Sequence, residues 1–85
     1  MAYFIHHTAR RHGISDDDID HAIRFRQLQQ EYDDGARILY LGPDRASNML
    51  EVLTIREDDD ELVIHAMKMQ SKYDHLLTED DENDD

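Results

Sequence analysis

Ile38-Leu39-Tyr40-Leu41-Gly42-Pro43-Asp44-Arg45 is an apolar run that stops at a turn, and two runs of the same kind follow it. Leu50-Glu51-Val52-Leu53-Thr54-Ile55-Arg56 comes next, then Leu62-Val63-Ile64-His65-Ala66-Met67-Lys68. They are punctuated by Gly42-Pro43-Asp44-Arg45 and by the acidic Glu57-Asp58-Asp59-Asp60-Glu61. Short apolar runs bounded by Gly, Pro and Asp clusters mark strands joined by turns, so this stretch predicts an antiparallel meander. Alternation puts Glu51, Leu53 and Ile55 on one face of the second strand and Leu50, Val52 and Thr54 on the other. In the third, Val63, His65, Met67 and Met69 are expected on one face, and Leu62, Ile64, Ala66 and Lys68 on the other. Both faces are apolar. Helices can cover one, and the other calls for a partner or a second copy of the chain.

Upstream, Ile14-Ser15-Asp16-Asp17-Asp18-Ile19 reads as a helix start. Ser15 is placed to cap the free amides, Asp18 holds the third helical position, and Ile14 and Ile19 are spaced as a hydrophobic staple. The three aspartates sit where the helix dipole favours negative charge. Ile19, Ala22 and Ile23 form the apolar stripe. Gly13 closes a shorter helix expected over Thr8 to His12. The segment Phe25 to Tyr32 is read as a strand, although its glutamines also suit a helix, because Asp33-Asp34-Gly35 is a hairpin-type turn. Ser71 to Leu77 makes a last helical turn or two. The expected architecture is α+β, with two N-terminal helices, a three- to four-stranded antiparallel sheet and a short C-terminal helix. One domain over residues 1–78 is expected, followed by an acidic, disordered tail over 79–85.

The 85 residues bound the chain to a single domain with a modest core. Net charge is −12, which opposes nucleic-acid binding because phosphate contacts need cations. However, the tail and the 57–61 turn hold eleven of the 21 acidic residues, so the remainder is close to neutral. Cysteine is absent, which excludes disulfides and thiolate ligation. With no signal-like leader and no apolar run of membrane-spanning length, a cytoplasmic protein with no membrane contact is expected.

Chemistry concentrates where the last strand ends. His65, Lys68, Ser71, Lys72 and Tyr73 gather acid–base, hydroxyl and cationic groups. Phosphodiester cleavage needs such a set: one group takes the 2′-hydroxyl proton, cations stabilise the phosphorane, and an acid protonates the leaving oxygen. Glu51 would orient His65 if the register of the two strands matches. The competing reading is an amphipathic strand end with solvated lysines. Arg37 and Arg45 bracket one strand and are the candidate RNA contacts, each also near an acidic block that can pair with it. The six histidines show no metal spacing: His6 and His7 point apart, and His12 and His21 fall in different elements. The Asp16–Asp20 run lacks the spaced ligands, glycine and final glutamate of a calcium loop. Neither metal nor other cofactor is expected.

The chain resembles the BrnT-type toxins and related short proteins of the RelE-like ribonuclease superfamily, in particular their compact actinobacterial relatives. The matching residues are His12-Gly13-Ile14-Ser15 before an acidic helix start, Gly42-Pro43-Asp44-Arg45, Leu50-Glu51-Val52, and Ile64-His65-Ala66-Met67-Lys68 with Ser71-Lys72-Tyr73. They extend from about Thr8 to Leu77. The resemblance implies a RelE-like fold and the toxin of a type II toxin–antitoxin pair. Such a toxin is a metal-independent endoribonuclease acting on messenger RNA, free or ribosome-associated, and is neutralised by a small cognate antitoxin. In this reading His65, Lys68, Lys72, Glu51 and Tyr73 are catalytic, and Arg37, Arg45 and Ser71 bind RNA. Those toxins carry arginines where the last strand ends; Lys68 and Lys72 keep the charge but lose the bidentate fork. The alternative is a non-catalytic interaction module, or a degenerate toxin, that binds a partner through its exposed sheet face.

Overall fold

A computed structural model describes residues 3–77. The tail expected over 79–85, and the ends of the 1–78 domain, lie outside the described residues. Within them, a five-stranded mixed sheet carries one helix of nine residues and ends in a four-residue helical turn. In chain order the elements are β1 (Tyr3–Ile5), a 3₁₀ turn (His7–Arg10), α1 (Asp16–Arg24), β2 (Leu28–Tyr32), a 3₁₀ turn (Asp33–Gly35) and β3 (Arg37–Pro43). Then come β4 (Met49–Glu57), β5 (Asp60–Lys68), a 3₁₀ turn (Ser71–Tyr73) and α2 (Asp74–Leu77). The sheet order is β1-β5-β4-β3-β2.

The helix forms for local reasons. The Ser15 hydroxyl accepts the Asp18 amide at 3.2 Å, and Asp16, Asp17 and Asp18 fill the first turn. Its stripe of Ile19, Ala22 and Ile23 is buried against Ile38, Tyr40, Leu50, Val52, Val63 and Ala66 of the sheet, together with Ala9 of the 3₁₀ turn. Burying a side chain such as Ile19 completely contributes about 1.5–3 kcal/mol. Helix and sheet approach closest at Gly42: a Cβ there would lie 2.1 Å from the Ala22 carbonyl oxygen. Only glycine lets α1 lie against β3 at that point.

Two features of the expected architecture are corrected. Two N-terminal helices were expected, but the earlier one is a single 3₁₀ turn, His7–Arg10. Four residues supply one turn, too few to repay the unsatisfied groups at both ends of an α-helix. The sheet is not an all-antiparallel meander of three or four strands. β2 to β5 are joined antiparallel in sequence, but β1 adds a fifth strand parallel to β5, pairing Tyr3 with Glu61 and Ile5 with Val63. Three residues are too few to show alternation, and their partner lies far downstream, so local pattern carries no signal of this pairing.

A third correction concerns the faces of β5. Leu53 pairs with His65 but Thr54 pairs with Val63, so Ile64 is an extra residue forming a β-bulge. Strict alternation therefore fails across it. Val63 joins Ala66 on the helix-covered face, while Leu62 shares the opposite face with His65 and Met67.

The helix-covered face also holds a polar cluster. Tyr40 and Thr54 both donate to Oε1 of buried Glu61, at 2.6 and 2.8 Å. Burial and the adjacent Glu61 push the Tyr40 phenol well above its ordinary range. Tyr3, which donates to Asp20, is pushed up to about 12 by burial and by that hydrogen bond.

Candidate active site

The face away from α1 is ordered by strand register into rows. One row runs Leu28, Leu41, Glu51, Met67 across β2 to β5, and the next runs Gln30, Leu39, Leu53, His65. A third runs Tyr32, Arg37, Ile55, Leu62. Glu51 and His65 thus sit on neighbouring strands, one row apart. Such diagonal neighbours are within reach of long side chains.

They meet. His65 Nε2 lies 2.8 Å from Glu51 Oε2. A carboxylate only accepts, so the ring donates through Nε2–H and presents Nδ1 as its free nitrogen. Glu51 is 2% exposed, and its carboxylate accepts three hydrogen bonds, one from His65 and two from Gln70. The Gln70 backbone amide donates to Oε1 and the Gln70 side-chain amide to Oε2, both at 2.9 Å. Gln70 sits in the chain after β5, where Met69 N donates to Met49 O at 3.0 Å and folds the segment back along β4. The result is a clamped buried acid that fixes the tautomer and aim of a half-exposed histidine.

A second imidazole completes the group. His12 stands edge-on to His65 with ring centroids 5.6 Å apart. It is placed by the 3₁₀ turn, which Thr8 fastens to β5 by donating from its hydroxyl to the Ile64 carbonyl at 3.0 Å. The bulge therefore aims His65 and anchors the segment that brings His12. Arg11 beside His12 and Lys68 at the end of β5 form no ion pair among the described residues.

The other expected site residues are dispersed. Lys68 pairs with Leu50 and so projects from the helix side of β5, across the strand from His65. Ser71 and Lys72 lie exposed on the following 3₁₀ turn, and the Lys72 ammonium rests 5.2 Å from the centre of the Tyr73 ring. Tyr73 turns toward Leu39 and Leu53, lining a cleft of about 330 Å³ with Tyr32, Asp33 and Arg37. Arg37 Nε donates to Asp33 Oδ2 at 2.8 Å. Arg45 is bound to the start of α1: its Nε and its backbone amide donate to Asp18 Oδ1 at 2.8 and 3.0 Å. Those two bonds hold the Asp18 carboxyl down to about 2. Arg45 thus fastens the β3–β4 turn to the helix.

Sequence pattern missed His12, Gln70, Tyr32 and Asp33. His12 carries a signal in retrospect, since it precedes Gly13 at the end of a turn. Gln70 carries none. Among the described residues, no group of three or more His, Asp or Glu is placed to hold a metal ion, and no helix is long and apolar enough to cross a membrane. No family model, curated protein or solved structure matches the chain.

Proposed function

We propose that this chain is the toxin of a type II toxin–antitoxin pair, a cytoplasmic, metal-independent endoribonuclease that acts on messenger RNA and is held inactive by a small cognate antitoxin. The observation that carries the reading is the His12–His65–Glu51 group, in which a buried carboxylate aims one imidazole and a second stands beside it. The resemblance in the flanking motifs supplies the biological setting.

The chemistry follows from the geometry. His65 Nδ1 takes the proton of a ribose 2′-hydroxyl while Nε2–H stays on Glu51, which stabilises the imidazolium that forms. The 2′-oxygen bonds to phosphorus and the bond to the 5′-oxygen breaks. An imidazolium at His12 gives its proton to that leaving oxygen. The products are a 2′,3′-cyclic phosphate and a free 5′-hydroxyl, with protons and charge balanced. Arg11, adjacent to His12, is the cation assigned to the phosphate.

The test is cleavage of messenger RNA by the purified chain with chelator present. Cleavage giving cyclic phosphate ends, lost in His65→Ala and in His12→Ala, is the expected result. Intact RNA with a folded protein, alone and on ribosomes, would overturn it.

One observation favours a second reading, a non-catalytic interaction module. Phe4 is 57% exposed beside half-exposed Leu62 on the face without a helix. Under that reading Phe4→Asp abolishes partner capture and His65→Ala does not.

A further inference from the structure

We propose that the cleft between Tyr32 and Tyr73 is a nucleobase pocket that selects guanine in single-stranded RNA. This rests on the ribonuclease reading and names what its site recognises. Four observations converge on it.

The first is position. Leu39 and Leu53, which line the cleft, share a row with His65, so the pocket begins one strand away from that imidazole. Leu39 to His65 is two strand spacings, about 10 Å, a distance one nucleotide covers from its ribose-phosphate to the far edge of its base. A base in the cleft would leave its own 2′-hydroxyl near His65.

The second is size. At about 330 Å³ the cleft falls at the small end of ligand pockets, suited to one base. The third is its walls. Tyr32 and Tyr73 come from opposite ends of the fold, an edge strand and the C-terminal turn, and bring two aromatic rings to one cleft floored by leucines. Unstacked bases bind such surfaces. Lys72 above the Tyr73 ring adds a cation at the rim.

The fourth is polarity. Asp33 and Arg37 line the same cleft and hold each other through one Nε–Oδ2 bond. That leaves Asp33 Oδ1 and the terminal nitrogens of Arg37 without a hydrogen bond among the described residues. An aspartate acceptor matches the adjacent N1–H and N2–H donors of guanine, and a guanidinium matches its O6 and N7 acceptors. Adenine and cytosine would each turn a ring-nitrogen acceptor toward the carboxylate.

The experiment titrates the full chain with 3′-GMP, 3′-AMP, 3′-CMP and 3′-UMP, followed by amide chemical shifts. Expected are shifts at Tyr32, Asp33, Arg37 and Tyr73 with 3′-GMP, and binding about tenfold or more weaker for the other three nucleotides. Tyr73→Ala should weaken all four by about tenfold. Asp33→Asn should remove the guanine preference while keeping the fold, because asparagine tolerates the positive φ of 55° at this position. Equal affinity for all four nucleotides, or shifts confined to residues outside the cleft, would overturn the proposal. The two readings fail separately: RNA cleaved without regard to guanine ends the pocket and leaves the nuclease, whereas guanine preference without cleavage ends the nuclease and leaves the pocket.

Discussion

Glu61 and Glu51 are both buried on neighbouring strands of one sheet, β5 and β4, at 4% and 2% exposure, but they project from opposite faces. Glu61, under the helix, is met by the hydroxyls of Tyr40 and Thr54. Both partners are neutral donors locked in the core, and the cluster has nothing to exchange with solvent. Glu51, on the face away from α1, is met by an amide clamp and by a histidine that is half-exposed. A buried carboxylate is costly in either place unless every direction is satisfied. Under the nuclease reading, what separates a structural acid from a working one is the partner: neutral hydroxyls only hold, whereas an imidazole can pass a proton.

The sharpest way to break this comparison is to remove the exchanging partner. His65→Ala should lower RNA cleavage by about 10²–10⁴-fold, read as initial rate on a defined RNA, while Tyr40→Phe on the other face leaves the rate within a few-fold of wild type. An equal loss in both variants would make the two faces equivalent and end the distinction.

The next effect is on folding and belongs to the helix side. Gly42→Ala drives a Cβ into the Ala22 carbonyl, and overpacking of this kind costs about 1–3 kcal/mol because the obstacle is backbone. Urea unfolding should show it as a lower midpoint. An unchanged midpoint would mean that α1 does not need close approach to β3. Tyr40→Phe comes third, leaving Glu61 with one hydroxyl fewer at a cost of about 1–3 kcal/mol; it should lower stability without moving the pH profile of cleavage. Glu51→Gln should lower the cleavage rate, since it replaces the carboxylate that holds the His65 ring in place.

The smallest effect lies at the rim, where exposed Arg45 meets half-buried Asp18. The Asp18 carboxyl is held below its ordinary 3.8, at about 2, so the pair supports the fold above pH 3.8 and loses that support as pH falls through 2. Arg45→Ala should return the Asp18 titration, followed by carboxyl ¹³C shifts, to the ordinary carboxylate range. The melting temperatures of variant and wild type should converge below pH 2.

What could be read in advance divides along the same physical line. The runs Ile38–Leu41, Leu50–Ile55 and Leu62–Lys68 declare strands because their pattern and punctuation are local. The same holds for Ser15 and the aspartates that start α1. The His65–Glu51 contact could be stated only as a condition on register. The Ile64 bulge that decides which way the rest of β5 faces leaves no mark, since an extra isoleucine in an apolar run looks like any other. His12 against His65, and Tyr32 opposite Tyr73, are meetings of segments remote in sequence. Periodicity cannot announce them. The expected gathering of Lys68, Lys72 and Tyr73 around His65 was a projection of closeness in sequence onto space, and the strand end with its following turn fans those side chains apart.

The parallel pairing of β1 with β5 also sets a timetable. Tyr3 to Ile5 find their partners only at Glu61 to Val63, so the first strand made must wait for the last. At about 5–20 residues per second, the ribosome leaves β1 unpaired for several seconds while nearly all of the sheet is still being synthesised. His12 and His65 therefore come together only after β5 has been made. A nascent or prematurely ended chain, whatever it has folded by then, carries one imidazole without the other.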